Sequence, residues 1–97
     1  MACPAIEHFV FTYHARFEME RRGISESEVS SVLRAPEQTE EQRPGRCIYQ
    51  KRVQGPSEDK VYLLRVFVDI DRDPAEVVSA YRTSKVGKYW RLYARDL

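Results

Sequence analysis

No stretch of this chain approaches the roughly 18 consecutive apolar residues that a membrane span needs. Its first residues, Met1 to Glu7, show neither a basic nor an apolar region, so no signal peptide is predicted. Net charge is also lacking: 16 Lys and Arg against 15 Asp and Glu leave +1. Nothing global therefore attracts nucleic acid or an anionic membrane, and a polyanion would have to be met by a local patch. Cysteine is scarce. Cys3 and Cys47 form no Cys-x-x-Cys pair; free thiols in a reducing cytoplasm are the expectation and a disulfide is the alternative. The chain has no phosphate-binding glycine loop, no Gly-x-Ser-x-Gly and no cysteine in a nucleophile setting. His14 and Glu18 stand four apart without a third ligand at a recognisable spacing, so no metal is expected. Asp69-Ile70-Asp71-Arg72-Asp73 is dense in acids but lacks the glycine and terminal glutamate of a calcium loop, and reads as a solvated turn. No cofactor is predicted, and there is no internal repeat.

What is present describes one folded domain spanning residues 1–97, since 42% hydrophobic residues exceed what a disordered chain carries. A first helix should start at Thr12 as N-cap and stop at Gly23, with Tyr13 and Phe17 sharing a face that anchors it to the core. His14, Glu18 and Arg21 fall together beside that stripe, and Arg22 lies a little further round. The second helix has the clearest start: Ser25 and Glu28 form a capping box and Ile24 and Val29 a hydrophobic staple. Val29, Val32 and Leu33 make its inward stripe, and Ala35-Pro36 ends it.

From Glu37 the period changes to two. Residues Gln38 to Gln42 read as a polar edge strand or extended loop, Pro44-Gly45 as a turn, and Cys47 to Val53 as a half-buried strand. Lys60 to Ile70 is the strongest strand, with Tyr62, Leu64, Val66, Val68 and Ile70 on one face and Val61, Leu63, Arg65 and Phe67 on the other, as a central strand requires. Asp71 to Pro74 turns the chain and Glu76 to Arg82 forms the last strand. Val86, Tyr89, Trp90 and Tyr93 then recur at helical spacing. The expected fold is α+β: two N-terminal helices packed on a three- to four-stranded antiparallel meander with a short C-terminal helix.

Charge is concentrated at the end. Residues 82–95 hold Arg82, Lys85, Lys88, Arg91 and Arg95 without one acid. A strand delivering Arg82, Thr83, Ser84 and Lys85 to the start of a helix is a candidate anion site.

Thr12-Tyr13-His14-Ala15-Arg16, followed by Glu20-Arg21-Arg22-Gly23-Ile24-Ser25, resembles a small uncharacterised bacterial domain family. That family opens with a threonine, a helix-borne His-Ala pair and an Arg-Gly-Ile-Ser junction. The later strand ending Ser79-Ala80-Tyr81-Arg82-Thr83, with its Tyr-containing tail, is similar both to that family and to the BrnT-type toxins of the RelE-like superfamily. The resemblance implies a RelE-like helix-plus-sheet ribonuclease fold, a cytoplasmic protein, RNA as substrate and an antitoxin protein as partner. It points to His14, Arg82 and Thr83.

A metal-independent ribonuclease needs a base for the ribose 2′-OH, an acid for the leaving 5′-oxygen and fixed positive charge on the phosphate. His14 is the expected proton carrier, Arg82 and Lys85 the expected charges, and Arg22, Thr83, Ser84 and Tyr89 the expected substrate contacts, with Trp90 or Tyr49 as a stacking face. Two other readings stand beside this one. One makes the fold a non-catalytic RNA- or protein-binding accessory domain, the other a protein-interaction module without a nucleic-acid role.

Overall fold

Local signals at the two helices behave as their residues suggest. Thr12 accepts a hydrogen bond from the Ala15 amide and caps α1 (Tyr13–Arg22), and Gly23 ends it in the left-handed region at φ 68°, where a β-carbon is disfavoured. Ser25 and Glu28 form both halves of the capping box that opens α2 (Glu26–Arg34). In this computed structural model residues 3–55 and 59–91 are described. Ahead of the helices lies a short strand, β1 (Phe9–Phe11). After them come β2 (Gln38–Arg43), β3 (Arg46–Gln54), β4 (Val61–Asp69), β5 (Ala75–Thr83) and a single turn of helix, α3 (Val86–Tyr89).

The five strands form one sheet in the order β1-β5-β4-β3-β2. β2 to β5 are antiparallel neighbours, but β1 pairs in parallel with β5, Phe9 opposite Ala75 and Phe11 opposite Val77. The sheet is therefore mixed, which corrects the expected meander. A three-residue run carries too little period to announce a strand, and its partner lies more than sixty residues away.

α1 and α2 cover one face of the sheet. Ala15, Met19, Ile24, Val29, Val32 and Leu33 pack there against Tyr49, Leu64, Val66, Val68, Val77 and Ala80. The anchor expected for α1 is corrected: Tyr13 is 85% and Phe17 53% exposed, while Ala15 and Met19 are buried. The Thr12 amide is tied to the Val77 carbonyl, and small Ala15 lets the helix axis approach Ala80 on β5 more closely than two aromatic rings would.

The cysteines are not free. Cys3 and Cys47 form a disulfide, with α-carbons 5.9 Å apart, that fastens the N-terminal segment across β3. Tyr49 reinforces it by donating to the Pro4 carbonyl at 2.6 Å. Among the described residues no helix is long and apolar enough to cross a membrane. The expected helical stripe through Tyr93 is corrected in part: α3 ends at Tyr89, and Tyr93 lies outside the described residues.

One irregularity decides which side chains meet. Phe67 pairs with Ser79 but Val68 pairs with Val77, so Val78 is an extra residue in β5. Across that bulge the alternation of faces slips by one. Ala80 and Arg82 turn toward the helices, as their partners Val66 and Leu64 do, and Ser79, Tyr81 and Thr83 turn to the sheet's other face.

Candidate functional site

The face away from the helices is built around a buried arginine. Arg65, at the centre of β4, is 7% exposed and stands between Gln50 on β3 and Tyr81 on β5 in direct cross-strand register. Its Nε donates to Gln50 Oε1 at 2.9 Å and its Nη1 to the Tyr81 hydroxyl at 2.7 Å. The rings of Phe67, Tyr81 and Tyr89 surround the guanidinium, their centroids 5.6, 5.8 and 4.2 Å from Cζ. Among the described residues no carboxylate pairs with it, whereas Arg16, Arg21, Arg22, Arg46, Arg52, Arg72, Arg82 and Arg91 each have one. A buried cation held by neutral acceptors and π faces keeps its field unneutralised, and the low-dielectric surroundings strengthen its pull on an anion.

Tyr81 and Tyr89 extend this cluster. Tyr81 accepts from Arg65 and hydrogen-bonds Tyr89, with ring centroids 6.3 Å apart. Burial pushes the Tyr81 phenol upward. Tyr89 is displaced the other way: its hydrogen bond with Tyr81 lowers it, and the nearby Lys88 and Arg65 charges favour its anion.

The tail reaches this place through two glutamines. Gln38 Nε2 donates to the Arg91 carbonyl at 2.6 Å and Gln38 Oε1 accepts from the Arg91 amide at 3.0 Å, while Gln50 Nε2 donates to the Tyr89 carbonyl at 3.2 Å. Arg91 also pairs with Glu40, and Arg52 stacks over Trp90 at 4.3 Å. A cleft of 250 Å³ opens between Arg65, Lys88, Tyr89, Trp90 and Arg91. Beside it a depression of 370 Å³ is lined by His14, Arg46, Phe67, Val78, Ser79 and Tyr81, so Tyr81 belongs to both the arginine cluster and the histidine's surroundings.

Residues 11–82 match the family described as a domain of unknown function, DUF4258. The chain belongs to that family. No curated protein and no solved structure matches it significantly. The matched region of this DUF4258 domain contains His14, Gln50, Arg65 and Tyr81 and stops before Lys88 and Tyr89.

Within the DUF4258 domain the residues expected from sequence divide. His14 and Tyr89 do face the open side, His14 at the rim of its depression and Tyr89 over Arg65. Arg82 does not. The bulge at Val78 turns it to the helical side, where it donates to Glu28 at 3.2 Å and to the Arg22 and Gly23 carbonyls at 3.1 and 3.3 Å. It staples the α1–α2 corner to β5 and lines a depression with Arg22, Tyr62 and Tyr81, while His14 lines a different one. Arg22 is likewise occupied: it pairs with Glu18 and donates to the Ala80 carbonyl at 2.9 Å, covering a stretch of β5 edge that β1 is too short to reach.

Thr83 Oγ1 accepts from the Lys85 amide at 3.0 Å, and Ser84 and Lys85 are exposed in that turn. The helix that follows, α3, has four residues, so few peptide dipoles align behind that turn. Tyr49 is fully buried on the helical side and offers no stacking face. Sequence reasoning missed Gln50, Arg65 and Tyr81. The available signal was a charge, Arg65, at the centre of the most apolar strand of the chain.

Proposed function

We propose that this domain is a toxin-like ribonuclease that cleaves RNA without a metal, with its site on the open face of the sheet rather than at the β5 terminus. The observation that carries the reading is Arg65, a buried guanidinium held by neutral partners and framed by two phenols. In this reading Arg65, with Lys88 beside it, stabilises the charge that builds on a phosphodiester in flight. Tyr89, which lies over Arg65, exchanges a proton with the reacting oxygen, and His14 at the neighbouring rim is the second proton carrier. Trp90, steadied by Arg52, offers a ring to an unstacked base. The RelE-like character of the fold, a cytoplasmic setting and an antitoxin partner belong to the same proposal and rest on the resemblance of the His14 and Tyr81-Arg82-Thr83 motifs; in that setting the Cys3–Cys47 bridge has to persist against a reducing poise. Helices on one sheet face, with Gln50, Arg65, Tyr81 and Tyr89 clustered on the other, support it.

The test is cleavage of a mixed RNA pool in excess EDTA by the parent chain and by Arg65→Met, Tyr89→Phe and His14→Ala. Cleavage by the parent that Arg65→Met and Tyr89→Phe abolish is expected. RNA bound but left intact by the parent would instead support the accessory, non-catalytic domain, and neither binding nor cleavage would leave the protein-interaction module.

A further inference from the structure

Position 50 carries an amide where charge balance would call for an acid. Gln50 and Arg65 are directly opposed across β3 and β4, and they are 4% and 7% exposed. A glutamate there would form a buried, cross-strand ion pair with the guanidinium. Glutamine supplies the same acceptor without the charge.

The amide's orientation follows from its partner. A guanidinium only donates, so Gln50 must present Oε1 to Arg65 Nε. Its Nε2 is then turned to the Gln38 Oε1 at 2.8 Å and the Tyr89 carbonyl at 3.2 Å. Gln38, 6% exposed, in turn places Nε2 on the Arg91 carbonyl and shares Oε1 with the Arg91 amide. One hydrogen-bonded relay thus runs from Arg65 through two buried amides to the backbone of the tail. Each member is oriented by the one before it, and none carries a charge that would cancel Arg65.

We infer that Gln50 is a positioning residue for the phosphate site of the proposed ribonuclease. It aims Arg65, docks the Tyr89 segment over it, and by its neutrality leaves the guanidinium available to a phosphodiester. This inference rests on the functional reading above.

The experiment is equilibrium binding of a fluorescent single-stranded RNA bearing 2′-O-methyl groups, which cannot be cleaved, to the parent, Q50E and Q50L over a range of salt, with thermal melts alongside. Q50E should stay folded, bind about tenfold more weakly, and show a log K against log salt slope shallower by about 0.7, the contribution of one phosphate on a single strand. Q50L keeps the charge of Arg65 but not its acceptor, and should bind more weakly with the parent's slope. Parent-like affinity and slope in a folded Q50E overturn the assignment. If Q50E does not fold, parent-like affinity in Q50L overturns it. A parent chain that binds no RNA overturns the functional reading itself, and the role of Gln50 with it.

Discussion

Two arginines on adjoining strands should respond in opposite ways to the same substitution. Arg82→Met removes the ion pair with Glu28 and two donations to the carbonyls that end α1. Glu28 is 40% exposed, so screening leaves the pair about 0.5–1 kcal/mol. Each helix-end carbonyl that loses a charged donor adds about 1 kcal/mol. The sum, about 2–3 kcal/mol, corresponds to a fall in Tm of about 10–20 °C for a domain of this size. Arg65→Met also deletes two hydrogen bonds, but it removes a buried, unneutralised cation and fills the space with an apolar chain. The buried Gln50 Oε1 left without its donor costs about 1–3 kcal/mol, offset in part by loss of the buried charge, so the net fall should be smaller than that of Arg82→Met. RNA binding should divide the other way, kept by Arg82→Met below its melting point and lost by Arg65→Met. Circular-dichroism melts paired with the salt-dependent binding assay read both quantities. An Arg82→Met chain with an unmoved Tm and no RNA binding, beside an Arg65→Met chain that binds like the parent, would refute the placement of the site.

Two further outcomes concern the frame. Hydrogen bonds from Arg46 hold the Asp69 carboxyl below its ordinary value of 3.8, so its stabilising contribution is complete above that value and is lost as pH falls through the lower folded one. Urea midpoints measured from pH 6 to pH 2 should show the parent losing its advantage over Asp69→Asn only below about pH 4, and parallel curves would exclude the pair as the cause. The Cys3–Cys47 bridge closes a loop with a sequence separation of 44, which in the chain-entropy account is worth about 4 kcal/mol. Cys3→Ser should lower the urea midpoint accordingly, and an unchanged midpoint together with titratable thiols in the parent would show that the bridge does not form.

The parts of this protein written in its sequence are those that neighbouring residues decide among themselves. Thr12, Gly23, the Ser25–Glu28 box and the alternation of Leu64, Val66 and Val68 act within a few positions, and each takes the expected conformation. His14 and Tyr89 stood out as candidates for the same local reason, one on a helix beside its apolar stripe and one in a basic tail, and both lie on the open side. Which residues gather into a site was decided by contacts distant in sequence. Parallel pairing of Phe9–Phe11 with β5 ends at Val77 and leaves an edge for Arg22 to cover. An extra residue at Val78 exchanges the faces of β5, sending Arg82 to the helices and Tyr81 to Arg65. Gln38 and Gln50 then draw the tail across the sheet. Side chains in a strand alternate with period two, so a one-residue slip that no local motif announces is enough to change which arginine reaches the open face of the sheet.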